Sequence, residues 1–368
     1  MGLPKDRTRR WNTAMSRHIQ SIEPYKPGKP LEELERELGI KNAIKLASNE
    51  NPLGPSKKAM RVLSKGLPSL HRYPEGTGRI LREALAPKYK LHPEQIILGN
   101  GSDEIMDLAA KTFLSPGDEA LIGDRTFAIY SICIRAHHGT VVSVPLREGR
   151  YDLEAMGRRL SPRTRLVFIC NPNNPTGAMV TQKELEGFMT KLPEGALVVM
   201  DEAYGEYADD PQFPDTVALL KSGAPLLVLR TFSKLYGLAG LRIGYGLSRP
   251  EVISLLNRTR LPFNTNTLAQ YAAVAALRDE AHVSRSLAIN HAGKTYLYRA
   301  FEAMGLRFLP TQANFIYLNV GRDGGAVYQA LLRLGVIVRV IEGSWLRISI
   351  GLASENRRFI AALKKTLK

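Results

Sequence analysis

Residues 164–204 read TRLVFICNPNNPTGAMVTQKELEGFMTKLPEGALVVMDEAY. TRLVFIC (164–170) predicts a strand. It runs into NPNNPTG (171–177), whose prolines, asparagines and glycine are turn formers. TQKELEGFMTKL (181–192) then predicts a helix opened by a capping box, with Thr181 and Glu184 satisfying each other's backbone N–H. ALVVMDEAY (196–204) is a second strand and reaches its polar end at Asp201. Continuous apolar strands alternating with helices indicate a mainly parallel sheet covered on both faces.

The same alternation extends outward. QIILGNG (95–101) reads as a strand ending in glycines, and SDEIMDLAAKTFL (102–114) as a helix with Ser102 at its N-cap. EALIG (119–123) and TVVSV (140–144) are strands around a helix, TFAIYSICIRA (126–136). PLLVLRTFSK (225–234) is a strand with a polar end, and LRIGYGL (241–247) is the next strand. In such sheets ligands bind beyond the carboxyl ends of the strands. Polar clusters stand at those ends: Gly99–Asp103, Asn171–Gly177, Asp201–Tyr204 and Thr231–Lys234. Separate loops therefore bring these groups to one crevice.

Beyond the sheet, residues 267–305 carry a long helical pattern with a break. It leads into a smaller α+β unit with strands near 314–320, 336–340 and 345–350 and a terminal helix, 354–367. LEELERELG (31–39) is a short helix stopped by Gly39, expected to pack on that unit. The expected architecture is α/β: a three-layer αβα sandwich around a mainly parallel sheet, plus a smaller α+β domain. The expected divisions are an arm and part of the small domain over 1–44, a large domain over 45–280, and a small domain over 281–368.

Bulk properties agree. The chain has 368 residues, more than one hydrophobic core usually serves, and 44% of them are apolar. Two cysteines, Cys133 and Cys170, exclude a disulfide framework and a cysteine-based zinc site, and fit a reducing, cytoplasmic compartment. No metal site is expected. No segment approaches the roughly 20 apolar residues of a membrane helix. Arg9-Arg10 look like a twin-arginine export signal, but the polar NTAMSRHIQS that follows argues against one. A net charge of +16 raises nucleic acid as a partner, yet the basic residues are dispersed, with no basic, aromatic-interleaved cluster. The bias at 1–17 reads as a solvated, flexible arm, and the excess charge also suits a protein that handles anionic small molecules.

Lys234 and Arg242 sit in the apolar, glycine-rich stretch RTFSKLYGLAGLRIGY (230–245). A lone lysine is most often a snorkelling surface residue. In an electropositive, partly desolvated pocket it has a lowered pKa and can form a Schiff base. Arg242 can supply that field while holding a phosphate, or can make a surface ion pair. Asp201 can cap the next turn, or be a buried carboxylate that needs a cation such as a pyridinium nitrogen. Tyr204 can reach a phenolate oxygen on the same ring, and Asn174 can donate to a cofactor oxygen. GNGSDE (99–104) places N–H groups at a helix start, where phosphate binds. As a dinucleotide fingerprint it fails, because its last position is Glu104.

GNGSDE, NPNNPTG, DEAY, TFSK and LAGLRIGY, in this order, resemble the fold-type I pyridoxal-phosphate aminotransferases. SNENPLGPS (48–56), HRYPEGTG (71–78), VIVR (336–339) and WLRISIG (345–351) match the histidinol-phosphate subgroup, and the resemblance covers roughly 25 to 365. It implies pyridoxal 5′-phosphate as cofactor, joined to Lys234, which then serves as general base. It implies Asp201 at the ring nitrogen, Asn174 and Tyr204 at the ring hydroxyl, and Phe127 stacked on the ring. Gly101, Ser102, Asp103, Thr231, Ser233 and Arg242 would bind the phosphate. Tyr73 would reach it from the neighbouring subunit of a homodimer with shared active sites. Tyr25, Asn49, Arg339 and Arg347 would meet the substrate. The implied reaction moves an amino group between histidinol phosphate and 2-oxoglutarate, in histidine biosynthesis. An aromatic-amino-acid aminotransferase and a threonine-phosphate decarboxylase share nearly all these residues and stay open as alternatives. Partners are then small molecules, with no nucleic acid and no membrane.

Overall fold

The protein is described by a computed structural model covering residues 14–368. Most of the expected basic arm, and with it Arg9-Arg10, lies outside the described residues; 14–17 are exposed.

The central sheet has seven strands, in the order Ile96–Gly99, Gly244–Leu247, Leu226–Thr231, Leu197–Asp201, Thr164–Cys170, Glu119–Gly123 and Thr140–Val144. All point the same way except Gly244–Leu247, which is antiparallel to both neighbours. The stretch 232–243 carries no crossover helix, so the chain returns beside Leu226–Thr231 in the antiparallel sense. Every residue of Ile96–Gly99, Glu119–Gly123 and Leu197–Asp201 is buried, as expected of strands covered on both faces. The capping box forms as read, with Thr181 Oγ1 accepting from the Glu184 N–H and Glu184 Oε2 accepting from the Thr181 N–H.

The second sheet is antiparallel, in the order Arg339–Glu342, Trp345–Ser349, Phe315–Asn319, Phe308–Leu309. Ile44–Lys45 pairs in parallel with Val336–Ile337, and helix Leu31–Leu38 ends at Gly39 in the left-handed conformation, φ 63°. The 267–305 pattern is broken as expected: helix Thr267–Leu277 stops, and Asp279 caps helix Glu280–Ala303. That helix packs Val283 and Leu287 on the large core, and Leu297 and Phe301 in the smaller one.

Three local readings are corrected. Gly101, not Ser102, occupies the N-cap of helix Ser102–Phe113; its φ of 81° suits glycine, and Ser102 becomes the first helical residue. The helix expected over 126–136 begins at Ile129, because the Thr126 hydroxyl is tied to Asn173 Oδ1 at 2.9 Å and holds the preceding turn out of the helix. The strand expected over 241–247 starts at Gly244, since Ala239–Leu241 forms a short 3-10 turn. Among the described residues, no helix is long and apolar enough to cross a membrane.

Candidate active site

The carboxyl ends of the parallel strands meet the second, antiparallel sheet at a cavity of about 320 Å³. Of the residues singled out from sequence, Tyr25, Asn49, Ser102, Asp103, Phe127, Asn174, Asp201, Tyr204, Thr231, Ser233, Lys234, Arg242, Arg339 and Arg347 all line it. Gly101 sits at its edge as the helix cap. Tyr73 does not reach it: its side chain is 83% exposed and stacks on Phe263, ring centroids 4.9 Å apart.

Lys234 follows the polar end of Leu226–Thr231. Its Nζ donates to the Ser48 carbonyl at 3.0 Å and lies 5.6 Å from the Tyr204 ring centre. Burial lowers its pKa to about 8, and the Arg347 and Arg242 charges push the same way. The amine is therefore partly uncharged and nucleophilic near neutral pH.

Asp201 ends strand Leu197–Asp201 and is buried. Oδ2 accepts from the Tyr130 hydroxyl at 2.5 Å, and Oδ1 from the Ala203 N–H at 3.1 Å. Burial raises its pKa to about 6, opposed by the Tyr130 hydrogen bond. Among the described residues, no cation pairs with it. A buried carboxylate with no cation is costly unless a positively charged ligand group completes it.

Arg347 presents the converse case. It stands on strand Trp345–Ser349, donates from Nη1 to Asn174 Oδ1 and from Nη2 to the Ala47 carbonyl, both at 2.5 Å, and its buried Nε has no partner. Burial lowers its pKa. Arg339 donates to the Lys26 carbonyl at 2.7 Å and lies 5.8 Å from the Tyr25 ring centre. Neither guanidinium has a carboxylate partner among the described residues. Two such cations at one end of a cavity suit an anionic ligand, and a doubly charged one best.

The large sheet and its first helix contribute a cradle of another kind. Helix Ser102–Phe113 points its N-terminus at the cavity, where the first-turn N–H groups lack intrahelical acceptors. Arg242, in the left-handed conformation at φ 53°, pairs with Asp103 at 3.3 Å, and a Cβ on Gly101 would collide with its guanidinium. A Cβ on Gly244 would come 2.5 Å from the Ser102 nitrogen, so the strand beside the helix start also admits only glycine. Glu104, which broke the dinucleotide pattern, accepts from the Asn100 N–H at 2.5 Å and from Asn264 at 2.8 Å.

Asn49 Nδ2 donates to the Tyr204 hydroxyl at 3.0 Å, while Ser349 Oγ accepts from the Asn49 N–H and donates to its Oδ1. Burial raises the Tyr204 pKa. Sequence reasoning missed Tyr130, Ser48, Cys170 and Ser349. Tyr130 was visible only as an aromatic of the RTFAIY segment; the Ser48 carbonyl left no signal in the sequence.

The profile of the family described as aminotransferase class I and II matches residues 41–363. Histidinol-phosphate aminotransferase of Moorella thermoacetica is 50% identical over 354 residues, covering 95% of this chain and 92% of its own. That of an Anaeromyxobacter species is 46% identical over 357 residues, covering 95% and 98%. The crystal structure of histidinol-phosphate aminotransferase from Sinorhizobium meliloti in complex with pyridoxal-5′-phosphate superposes with a TM-score of 0.88 at 28% identity, over 96% of this chain and 97% of that one. By its profile match, its relatives and its fold, this chain belongs to the class I and II aminotransferases.

Proposed function

We propose that this protein is a pyridoxal-phosphate-dependent histidinol-phosphate aminotransferase, which moves an amino group between histidinol phosphate and 2-oxoglutarate to give imidazole acetol phosphate and glutamate. The observation that carries the reading is the set of groups in one cavity left uncompensated among the described residues: an amine of lowered pKa, a buried carboxylate without a cation, and two guanidiniums without an anion. The relatives of this chain at 46% and 50% identity carry that activity in their names.

The residues fit the cofactor. The helix N-terminus at Ser102 and Asp103, with Thr231, Ser233 and Arg242, would hold its phosphate; Gly101 keeps the space there open. Asp201 would complete the ring nitrogen, Asn174 and Tyr204 the ring hydroxyl, and Phe127 would lie on the ring face. Bound pyridoxal phosphate supplies an aldehyde that takes up amino groups and a ring that draws electrons from the carbon bearing them. Lys234 Nζ would hold the cofactor and would serve as the general base that takes the proton from that carbon, a contribution of about 10²–10⁴ in rate. Asp201 holds a proton on the ring nitrogen. Arg347 orients the carboxylate of glutamate by a bidentate pair. With Arg339 it binds the phosphate of histidinol phosphate, which has no carboxylate. Asn49 and Ser349 hold the Tyr204 hydroxyl in place.

The same reading places Tyr73 in the active site of a partner protomer in a homodimer. Its exposure, and that of Leu70, Leu261 and Phe263, supports this. It retains the divisions 1–44, 45–280 and 281–368, supported by separate large and small apolar cores. It places the enzyme in the cytoplasm, where the free, buried Cys133 and Cys170 need no oxidising compartment. The purified protein should show the visible absorption of lysine-bound cofactor, and Lys234→Ala should abolish it. A wild-type protein that takes up no pyridoxal phosphate would end the reading.

A further inference from the structure

We propose that Tyr130 is a positioning residue for Asp201: its hydrogen bond to one carboxylate oxygen keeps the proton shared between Asp201 and the ring nitrogen of bound cofactor on the nitrogen. The proposal rests on the cofactor assignment above and goes beyond it, because Tyr130 does not line the cavity.

The geometry carries it. Tyr130 stands on helix Ile129–Ala136 and is fully buried. Its ring stacks on Phe168 of strand Thr164–Cys170, centroids 5.1 Å apart, and meets Phe127 edge-on at 5.7 Å. Two rings thus fix the direction of its hydroxyl, which donates to Asp201 Oδ2 at 2.5 Å. The other groups near Asp201 offer less. The Cys170 thiol lies 3.9 Å from the same oxygen and 3.3 Å from the Pro172 carbonyl. Tyr151, Tyr204 and Cys170 are kept neutral by burial, and Asp103 and Glu202 add only like charge. Among the described residues, no lysine, arginine or histidine hydrogen-bonds the carboxylate. Tyr130 is therefore its strongest side-chain donor.

The chemistry of a phenol matters here. An arginine in this place would neutralise Asp201 and remove its need for a pyridinium. A buried phenol, whose own pKa burial raises further, lowers the proton affinity of the carboxylate and keeps its own proton. Burial alone favours the protonated carboxyl, and a protonated Asp201 would leave the ring nitrogen bare and the ring a poorer electron sink. The Tyr130 bond opposes that transfer.

The test uses the whole enzyme loaded with pyridoxal phosphate carrying ¹⁵N in the ring, and reads the nitrogen chemical shift. Wild type should give the protonated value, and Tyr130→Phe, which keeps the aromatic stack, should move it toward the unprotonated one. In the apoprotein, the infrared carboxyl band assigned by Asp201→Asn should titrate at least about one pH unit higher in Tyr130→Phe, a tenfold rise in proton affinity. A fluorinated tyrosine at 130 keeps the shape and is a stronger acid, so the Asp201 midpoint should move down; this arm decides if Tyr130→Phe does not fold. An unmoved nitrogen signal with an unmoved Asp201 midpoint in a folded variant overturns the proposal. Failure of wild type to bind the cofactor overturns the functional reading instead, and the apoprotein titration still tests the hydrogen bond.

Discussion

Replacing Lys234 by methionine should abolish the reaction and stabilise the apoprotein. The reason is the cost of keeping an ammonium in this cavity. Its pKa falls from 10.5 to about 8 on folding, by burial first and by the Arg347 charge second. Below pH 8 the unfolded and folded chains both carry the charge, and the folded one carries it at a cost of about 3 kcal/mol. Methionine matches the stem and has no charge, but forfeits the hydrogen bond to the Ser48 carbonyl, about 1 kcal/mol. The net gain near pH 7 is about 2 kcal/mol. The sign of the pH dependence follows. Above pH 10.5 the lysine is neutral in both states and there is no penalty. As the pH falls from 10.5 to 8, the unfolded chain takes up a proton that the folded chain does not, and wild-type stability drops. The advantage of Lys234→Met should thus be full below pH 8 and vanish, or reverse by about 1 kcal/mol, near pH 10.5. Urea midpoints of the two apoproteins across pH 7–10.5 measure it; the cofactor must be absent, because it would stabilise the two proteins unequally, joining the wild type through Lys234 as well. A variant no more stable than wild type at pH 7, or a difference that does not change with pH, would refute the reasoning.

Two further outcomes concern the ends of the cavity and the partner protomer. Arg339→Ala should lower kcat/KM for histidinol phosphate by roughly 10- to 100-fold, on the scale of a charge-assisted hydrogen bond, and leave phenylalanine turnover much less affected. Equal losses for both substrates would remove the phosphate role. Co-expressed Tyr73→Ala and Lys234→Ala chains, each inactive alone, should recover activity in hybrid dimers, and no recovery would count against shared sites.

The sheet and most of the cavity were legible because they depend on local pattern. Apolar runs such as LVFIC and LVVM declare covered strands, and each polar cluster follows its strand directly in sequence, so one topology rule gathers them. Lys234, Asp201 and Asn174 were found in this way; Arg347, on a strand of the other sheet, was reached only through the family resemblance. What was not legible depends on contacts across the chain. Tyr130 meets Asp201, 71 residues away, because its ring packs on Phe168 of the strand that pairs with Leu197–Asp201. Ser349 reaches Asn49 across 300 residues. The Ser102 cap was misread because serine favours that position in general, whereas the turn out of strand Ile96–Gly99 needs a positive φ and so takes Gly101. The reversed direction of Gly244–Leu247 left no trace in its own residues; it follows from the lack of a crossover helix before it. The two-residue strand Phe308–Leu309 is too short to carry any alternation.

The central claim is that this cavity transaminates histidinol phosphate. The most direct measurement offers the purified holoenzyme histidinol phosphate, phenylalanine, tyrosine and phosphothreonine in turn, each with 2-oxoglutarate, and follows glutamate formation and CO₂ release together. The arrangement of Arg339 and Arg347 predicts that kcat/KM for histidinol phosphate exceeds that for either aromatic amino acid, with glutamate formed and no CO₂ released. Faster turnover of phenylalanine or tyrosine, or CO₂ release from phosphothreonine, would contradict it.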